Sequence, residues 1–171
     1  MFLGPRYRRG GEQIVHGSKG SSVPKPVMTA DEVNSLLKAV YPQLNEDLAC
    51  YFATDVFPGG CTVRLDADHR HLRPGNTVSG PSLFTLADIG GYVCVLSHAG
   101  PDALSVTTNL NINFMRKAEK GPIDGHCRIL KLGNRLMVFD IEMVSGADRH
   151  VVAHATGTYS IPPKRSKHAV K

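Results

Sequence analysis

The chain has 171 residues, 42% of them hydrophobic, which is enough for one ordinary domain with its own core and too few for two. The formal net charge is +5, but much of the surplus lies near the two ends, and without an aromatic-rich basic motif the composition argues against a nucleic-acid-binding protein. Four scattered cysteines with no CxxC pair indicate a reduced, cytoplasmic protein, and we expect no membrane span because no run of about 18 apolar residues is present.

The two chain ends are rich in basic residues and lack apolar periodicity. We therefore predict a flexible basic tail over residues 1–26, a folded domain over 27–162 and a second basic tail over 163–171. The domain opens with a capping box, Thr29-Ala-Asp-Glu32, which marks the start of a helix. Apolar residues at helical spacing follow until Tyr41-Pro42, namely Val33, Leu36, Leu37 and Val40. This pattern predicts an amphipathic helix that packs on a larger element.

Two strands are predicted next, over 48–57 and 61–67, joined by the turn Pro58-Gly59-Gly60. A polar stretch then runs from residue 66 to 76 and contains His69 and His71. Two histidines in a loop, with no cysteine or third ligand beside them, are typical of solvated side chains. The sequence therefore predicts no metal site.

A long apolar segment, 77–99, is the centre of the pattern. Its apolar side chains cover nearly the whole circumference at about 100° per residue, which predicts a helix buried on all sides. One narrow face differs, because it carries Pro81, Thr85, Asp88 and Tyr92. A backbone amide or a basic partner could hold the carboxylate of Asp88 in a purely structural role. The functional interpretation is preferred because an ionised carboxylate is costly to bury, and a tuned general base is a common reason for one.

The start of this helix is a second candidate for function. Pro81 fits the first helical position, with Gly80 or Ser79 as the cap. Such an N-terminus presents unpaired N–H groups and the positive end of the helix dipole to a nearby oxyanion.

Four further strands are predicted after the helix, over 103–115, 121–132, 135–145 and 150–160. Turn signals at Gly133-Asn134 and at 146–148 favour antiparallel hairpins, so we expect a four-strand meander. Alternation in the first of these strands predicts two faces. Leu104, Val106, Thr108, Leu110, Ile112 and Phe114 form one, and Ser105, Thr107, Asn109, Asn111 and Asn113 form the other.

This order of elements requires a sheet that curls around the central helix. Together with the segments Asn76-Thr-Val-Ser-Gly-Pro-Ser-Leu-Phe-Thr-Leu-Ala-Asp-Ile-Gly90 and Thr108-Asn-Leu-Asn-Ile-Asn-Phe-Met-Arg-Lys117, it resembles the hot-dog-fold acyl-CoA thioesterases of the phenylacetate-pathway (PaaI) type over about residues 30–162. The resemblance implies an α+β hot-dog fold, a curved antiparallel sheet around a long buried helix. It also implies hydrolysis of an acyl-CoA thioester, with no cofactor other than the coenzyme A of the substrate.

The resemblance assigns roles by position. Asp88 matches the catalytic carboxylate, Gly80 the oxyanion-hole glycine, and Thr107 a hydroxyl that positions water or thioester. The His-Gly-Gly of the family reads Ser79-Gly80-Pro81 here, and a family asparagine is replaced by Arg73, although Asn76 is close enough to take its place. The residues expected to bind substrate are Arg73, Ser79, Pro81, Thr85, Asn109, Arg116 and Lys117, the last two through the coenzyme A phosphates.

Helix geometry predicts the assembly. Gly80 and Asp88 are eight residues apart, or about 12 Å along a helix axis, too far to act on one carbonyl. We therefore expect a homodimer whose sites combine Gly80 of one subunit with Asp88 of the other, and a dimer of dimers as in relatives.

Two alternatives to thioester hydrolysis remain. One is a non-catalytic protein that binds acyl-CoA or another small ligand. The other is an enoyl-CoA hydratase, suggested by Asp66-x4-His71-x4-Asn76, although the usual Asn-Pro of that motif is missing and Asp66 also fits an outward strand position.

Overall fold

The computed structural model describes residues 22–45, 50–101 and 104–163. The predicted tails therefore lie largely outside the described residues. The helices are α1 (Ala30–Val40) and α2 (Gly80–Ala99). The strands are β1 (Tyr51–Phe57), β2 (Gly60–Ala67), β3 (Leu72–Arg73), β4 (Thr77–Val78), β5 (Val106–Phe114), β6 (Gly121–Leu132), β7 (Leu136–Ser145) and β8 (His150–Ser160). Two short 3-10 turns, Pro42–Asn45 and His69–His71, complete the fold.

A six-stranded antiparallel sheet, in the order β1-β2-β6-β7-β8-β5, wraps around α2. The α+β hot-dog architecture predicted from the sequence is confirmed. The predicted four-strand meander is wrong in one respect, because β5 pairs with β8 rather than with its chain neighbour β6. No tight-turn signal separates β5 from β6. Instead the amides of Met115 and Arg116 donate to Val152 O, which extends the pairing with β8.

α1 follows its sequence signals. Thr29 caps it through a complete capping box with Glu32, and Tyr41 is its C-cap. The side chain of Asn34 accepts a hydrogen bond from Ala53 N and donates one to Ala53 O, which ties α1 to β1. The apolar face of α1 therefore packs onto the layer formed by β1 and α2.

α2 is enclosed by the sheet over most of its length, as predicted. Length and composition alone would let this helix cross a membrane, but most of it is buried inside the domain. Gly90 and Gly91 face β7, where a Cβ at Gly91 would lie 2.4 Å from Phe139 Cζ. Only glycine permits this approach. The prediction of burial on all sides was wrong for Phe84, which is 42% exposed and lies three residues after the exposed Pro81.

Candidate active site

Asp88 lies on the third turn of α2, half-buried, and faces strands β5 and β8. Thr107 Oγ1 donates a hydrogen bond to Asp88 Oδ1 at 2.5 Å. The hydroxyl of Tyr159 lies 2.8 Å from the same oxygen. The structure therefore brings together the predicted carboxylate, the predicted hydroxyl and a tyrosine that the sequence patterns did not single out.

A β-bulge in β5 places Thr107 on the helix side of the sheet. Thr107 pairs with Tyr159 and Asn109 pairs with Thr158, so Thr108 is an extra residue without a partner of its own. The bulge reverses the alternation, since Thr107 and Leu110 now share the inner face. The prediction that Thr107 shares one face with Asn109, Asn111 and Asn113 was therefore wrong. The Thr108 hydroxyl donates instead to Thr158 O at 3.1 Å.

Ser79 is the N-cap of α2, which decides between the two caps considered. Its Oγ accepts from Ser82 N at 3.4 Å and lies 2.8 Å from Ser82 Oγ. Leu83 N donates to Ser79 O, and Pro81 has no N–H to donate. Within the described residues, the N–H of Gly80 has no hydrogen-bond partner, and it is therefore the first-turn donor left for a ligand.

The surface beside Gly80 is formed by the ring of Phe114 at the end of β5. A Cβ built on Gly80 would lie 3.3 Å from Phe114 Cζ. Thr85, one turn into α2, donates its hydroxyl to Pro81 O at 3.0 Å. That hydroxyl is therefore already committed as a donor, and Thr85 can offer a substrate only an acceptor oxygen or its methyl group.

Arg73 and Asn76 lie in the β3–β4 hairpin that leads into α2. Both are exposed, and Asn76 N donates to Arg73 O at 3.1 Å. Asn76 has a φ of 57°, a left-handed conformation that asparagine tolerates well, so the turn alone gives a structural reason for this residue. Ser79 N donates to His71 O, which fixes the hairpin against the start of α2. The roles of Arg73 and Asn76 stay predictions.

Asn109, Arg116 and Lys117 are exposed on or just beyond β5. Asn109 pairs with Thr158 after the bulge and lies on the outer face of the sheet. Arg116 and Lys117 come directly after the end of the strand, close in the chain to Phe114. Their predicted contacts to substrate are compatible with this exposure and stay predictions.

The chain resembles known thioesterases in sequence and in structure. A profile described as the thioesterase superfamily matches residues 75–152. A candidate esterase from Pseudomonas aeruginosa is 35% identical over 102 residues, 58% of this chain and 74% of the relative. The crystal structure of a candidate thioesterase from Silicibacter sp. TM1040 is 44% identical and superposes with a TM-score of 0.74, covering 82% of this chain and 96% of that one.

The chain belongs to the thioesterase superfamily. The phenylacetic acid degradation protein PaaI of Thermus thermophilus shares the fold as well, with a TM-score of 0.58, 19% identity, and coverage of 75% of this chain and 99% of that one. At this identity the likeness shows the hot-dog fold alone.

Three buried cysteines of this thioesterase-superfamily chain meet under α2, although they are far apart in sequence. The sulfur atoms of Cys61, Cys94 and Cys127 lie within 4.8 Å of one another, and those of Cys61 and Cys94 are 3.3 Å apart. No pattern of spacing could have found this cluster, because it depends on the packing of β2, α2 and β6. Burial raises the pKa of the Cys61 and Cys127 thiols well above the usual range. Burial also raises the pKa of Cys94, but hydrogen bonds from the other two thiols outweigh it and lower that pKa, so two of the three thiols oppose the thiolate form that a metal requires. We interpret the three as small apolar core residues.

The two histidines considered as metal ligands have separate environments. His71 is buried, its Nδ1 lies 3.0 Å from Asp68 Oδ1, and its ring meets Tyr51 edge-on. His69 is exposed. Neither belongs to the group of closely spaced ligand atoms found in the described residues.

Two pockets on the described chain lie away from the candidate site. One lies between α1 and β1, and the other lies at the C-terminal end of α2. Neither is lined by Asp88 or by Gly80.

Proposed function

We propose that the chain hydrolyses an acyl-CoA thioester, with Asp88 as general base or nucleophile and the Gly80 N–H as oxyanion donor. The observation that carries the proposal is the Asp88 carboxylate, half-buried in an apolar helix and held by the Thr107 and Tyr159 hydroxyls. No basic side chain neutralises it within the described residues, so the carboxylate keeps its capacity to accept a proton or attack a carbonyl. Membership of the thioesterase superfamily supports thioester hydrolysis as the reaction class.

The Gly80 amide is suited to the proposed role of oxyanion donor. A free N–H at a helix start can stabilise the negative charge that develops on the carbonyl oxygen when the thioester is attacked. Removal of one such donor commonly costs about 10²–10³ in kcat. Pro81 supplies no further amide, so the proposed oxyanion site relies on this single main-chain donor from α2.

We place the complete site between two subunits. Gly80 and Asp88 of one helix are separated by about 12 Å along its axis. β5 is an edge strand, and large apolar side chains on it or beside it are exposed: Leu104, Val106, Phe114 and Met115. Exposed apolar side chains on an unpaired edge favour association with another chain. A two-fold axis beside β5 would cover them and bring Gly80 of one subunit toward Asp88 of the other.

The hydratase alternative has less support. Asp66 is exposed on β2, His71 is buried against Tyr51, and Asn76 is exposed at the tip of the hairpin. Within the described residues no hydrogen bond joins any two of them, and each has a structural role or a solvated position.

The proposal is tested with a panel of short, branched, aromatic and long acyl-CoAs and with 2-enoyl-CoAs, following release of free thiol and formation of hydrated product. Asp88→Asn should lower thiol release by about 10²–10⁴ while the protein stays folded. Asp66→Asn is the matched control, since it removes an exposed carboxylate from the opposite side of the sheet and should keep full activity. An Asp88→Asn protein with normal turnover would remove Asp88 from the mechanism. Tight binding of acyl-CoA by the wild type without thiol release would identify a non-catalytic binder.

The shared site has its own test. Asp88→Asn and Gly80→Glu proteins, each inactive, are mixed and allowed to exchange subunits, with exchange confirmed by native mass spectrometry. A heterodimer then contains one site with both residues intact, so random exchange should restore about a quarter of wild-type activity. Absence of recovery after confirmed exchange, or a wild type that is active as a monomer, would refute the composite site.

A further inference from the structure

Two hydroxyl groups from different strands converge on one oxygen of Asp88. Thr107 Oγ1 on β5 is 2.5 Å from Oδ1, and the Tyr159 hydroxyl on β8 is 2.8 Å from it. Within the described residues nothing donates a hydrogen bond to Oδ2. The two oxygens of the carboxylate are therefore inequivalent, one fixed by two donors and the other open.

Tyr159 is built into the core and has little freedom to move. Its residue is only 3% exposed, and its ring stacks on Tyr92 and tilts against Phe139, with ring centroids 6.1 Å and 6.2 Å away. Burial, and then the nearby charge of Asp88, raise the pKa of Tyr159 far above its ordinary value. The phenol is thus neutral and remains a donor across the pH range in which an enzyme works.

The Tyr159 hydroxyl also lies 3.0 Å from the main-chain oxygen of Asp88. It has a single proton, so it can make one strong hydrogen bond. The carboxylate oxygen is nearer and charged, and charge-assisted hydrogen bonds are the stronger ones. The main-chain oxygen of Asp88 can also accept the helical hydrogen bond from the N–H four residues later. The carboxylate is therefore the main acceptor.

We propose that Tyr159 is a positioning residue which, with Thr107, fixes Oδ1 of Asp88 and leaves Oδ2 as the reacting oxygen. This inference rests on the proposed thioester hydrolysis. When Asp88 acts as the base, Oδ2 takes a proton from water, and the water oxygen forms a bond to the thioester carbon. The C–S bond then breaks, its electron pair goes to sulfur, and the thiolate takes the proton from Oδ2. The products are a carboxylic acid and a thiol. When Asp88 acts as the nucleophile, Oδ2 forms a bond to the thioester carbon and the C–S bond breaks with its electron pair on sulfur. A water molecule then cleaves the resulting anhydride, which restores the Asp88 carboxylate and releases the carboxylic acid, and the proton set free goes to the thiolate.

Tyr159→Phe tests this role, because it removes the hydroxyl and keeps the ring. We expect kcat to fall by on the order of 10-fold with little change in KM, since a carboxylate held by one donor is less well oriented. The acid limb of the pH–rate profile should move to higher pH, because donors to a carboxylate favour its charged form. Among the described residues, the titratable side chain hydrogen-bonded to Asp88 is that of Tyr159 on β8. Tyr92, one turn further along α2, stacks on Tyr159, and β5 contributes the neutral hydroxyl of Thr107.

Tyr51→Phe is the matched control. Tyr51 is also a buried tyrosine, and its hydroxyl bonds a main-chain oxygen of α2, Ser82 O at 3.4 Å, but no carboxylate. It should lower thermal stability, though by less than Tyr159→Phe because its hydrogen bond is longer and to a neutral oxygen, and it should leave the pH profile unchanged. A Tyr159→Phe enzyme that loses stability but keeps wild-type kcat and an unmoved acid limb would show that Tyr159 is purely structural, and the inference would be wrong.

A second variant keeps the test decisive if Tyr159→Phe fails to fold. 3-Fluorotyrosine inserted only at position 159 has nearly the same shape and is a stronger donor, so the acid limb should move in the opposite direction, to lower pH. An unchanged or upward shift would overturn the inference. Failure of the proposed function looks different, because either the wild type would then release no thiol or Asp88→Asn would keep its activity, whatever happens at Tyr159.

Discussion

Replacing Gly91 by alanine should destabilise the domain, although the same change usually strengthens a helix. Alanine in place of glycine gains about 1 kcal/mol in an exposed helix. A Cβ at Gly91, however, would lie 2.4 Å from Phe139 Cζ and 2.8 Å from Tyr159 Cε2. The Phe139 ring has no room to retreat, since a Cβ at Gly157, on β8, would lie 2.5 Å from it. Overpacking a fixed ring costs about 1–3 kcal/mol. With an overpacking cost of about 3 kcal/mol and a helix gain of about 1 kcal/mol, we expect the free energy of unfolding to fall by about 2 kcal/mol. For a domain of this size this corresponds to a Tm lower by about 6 °C.

Gly90→Ala is the control for this prediction. Its new Cβ would meet Ile141 Cδ1 at 2.6 Å, and a Cβ at Gly125 would meet the same atom at 2.7 Å, so this side chain is enclosed as well. It ends in one methyl group that can turn about its own χ2 torsion, whereas a ring is rigid, so Gly90→Ala should destabilise the domain less than Gly91→Ala does. Both variants are unfolded in urea at one fixed protein concentration, because association would shift the apparent stability. If Gly91→Ala is as stable as the wild type, or no less stable than Gly90→Ala, the ring is not held as tightly as the structure indicates and the reasoning fails.

Three further predictions follow from other contacts. Thr107→Val should lower kcat by about 10-fold because it removes a donor from the Asp88 carboxylate, the proposed base or nucleophile, while Thr108→Val, next to it in the bulge, should not. Equal rates for the two variants would contradict the proposed role of Thr107. Partial burial by itself raises the pKa of Asp124, but two arginine guanidinium groups outweigh it and hold the pKa below its usual value. The stability that this carboxylate contributes is present above its unfolded pKa of about 4 and is lost as the pH falls through the folded value. Asp124→Asn should therefore make the unfolding free energy decline less steeply on the acid side. A decline as steep as that of the wild type would refute the prediction. Replacing Arg116 and Lys117 together by alanine should raise KM for acyl-CoA but hardly change it for a short thioester without the nucleotide, and an equal effect on both substrates would argue against phosphate contact.

The sequence predicts the elements whose signals are local. The capping box at Thr29 gives the start of α1, and the apolar circumference of α2 gives its burial and the position of Asp88. Boundaries were less accurate where no cap or turn marks them, since β1 begins at Tyr51 and β5 at Val106, each later than predicted. The partner of β5 could not be predicted, because pairing with β8 depends on how the sheet closes around α2.

For the candidate site, the sequence indicates only those residues that stand out by their own position in the chain. Asp88 stands out because a carboxylate interrupts an apolar helix, but the face on which Thr107 lies depends on an unpaired residue in β5. No turn or glycine signals that bulge. Tyr159 sits on the inward face of β8 by simple alternation, which marks it as a core residue. Its hydrogen bond to Asp88 arises from the register between β5 and β8, and a sequence pattern does not contain that register.

The position of the carboxylate is therefore set by the core rather than by a loop. Gly91 on α2 and Gly157 on β8 leave a slot that the ring of Phe139 fills, and this ring supports Tyr159. Tyr159 in turn holds Asp88 Oδ1. A close-packed interior transmits small displacements with little loss, so a side chain added at either glycine should displace Phe139, then Tyr159, and with it the Asp88 carboxylate. Substitutions at Gly91 or Gly157 should consequently reduce turnover as well as stability, even though neither residue contacts a substrate. A buried tyrosine suits the positioning role proposed for Tyr159, because the packing that excludes water from its ring also keeps its oxygen in place.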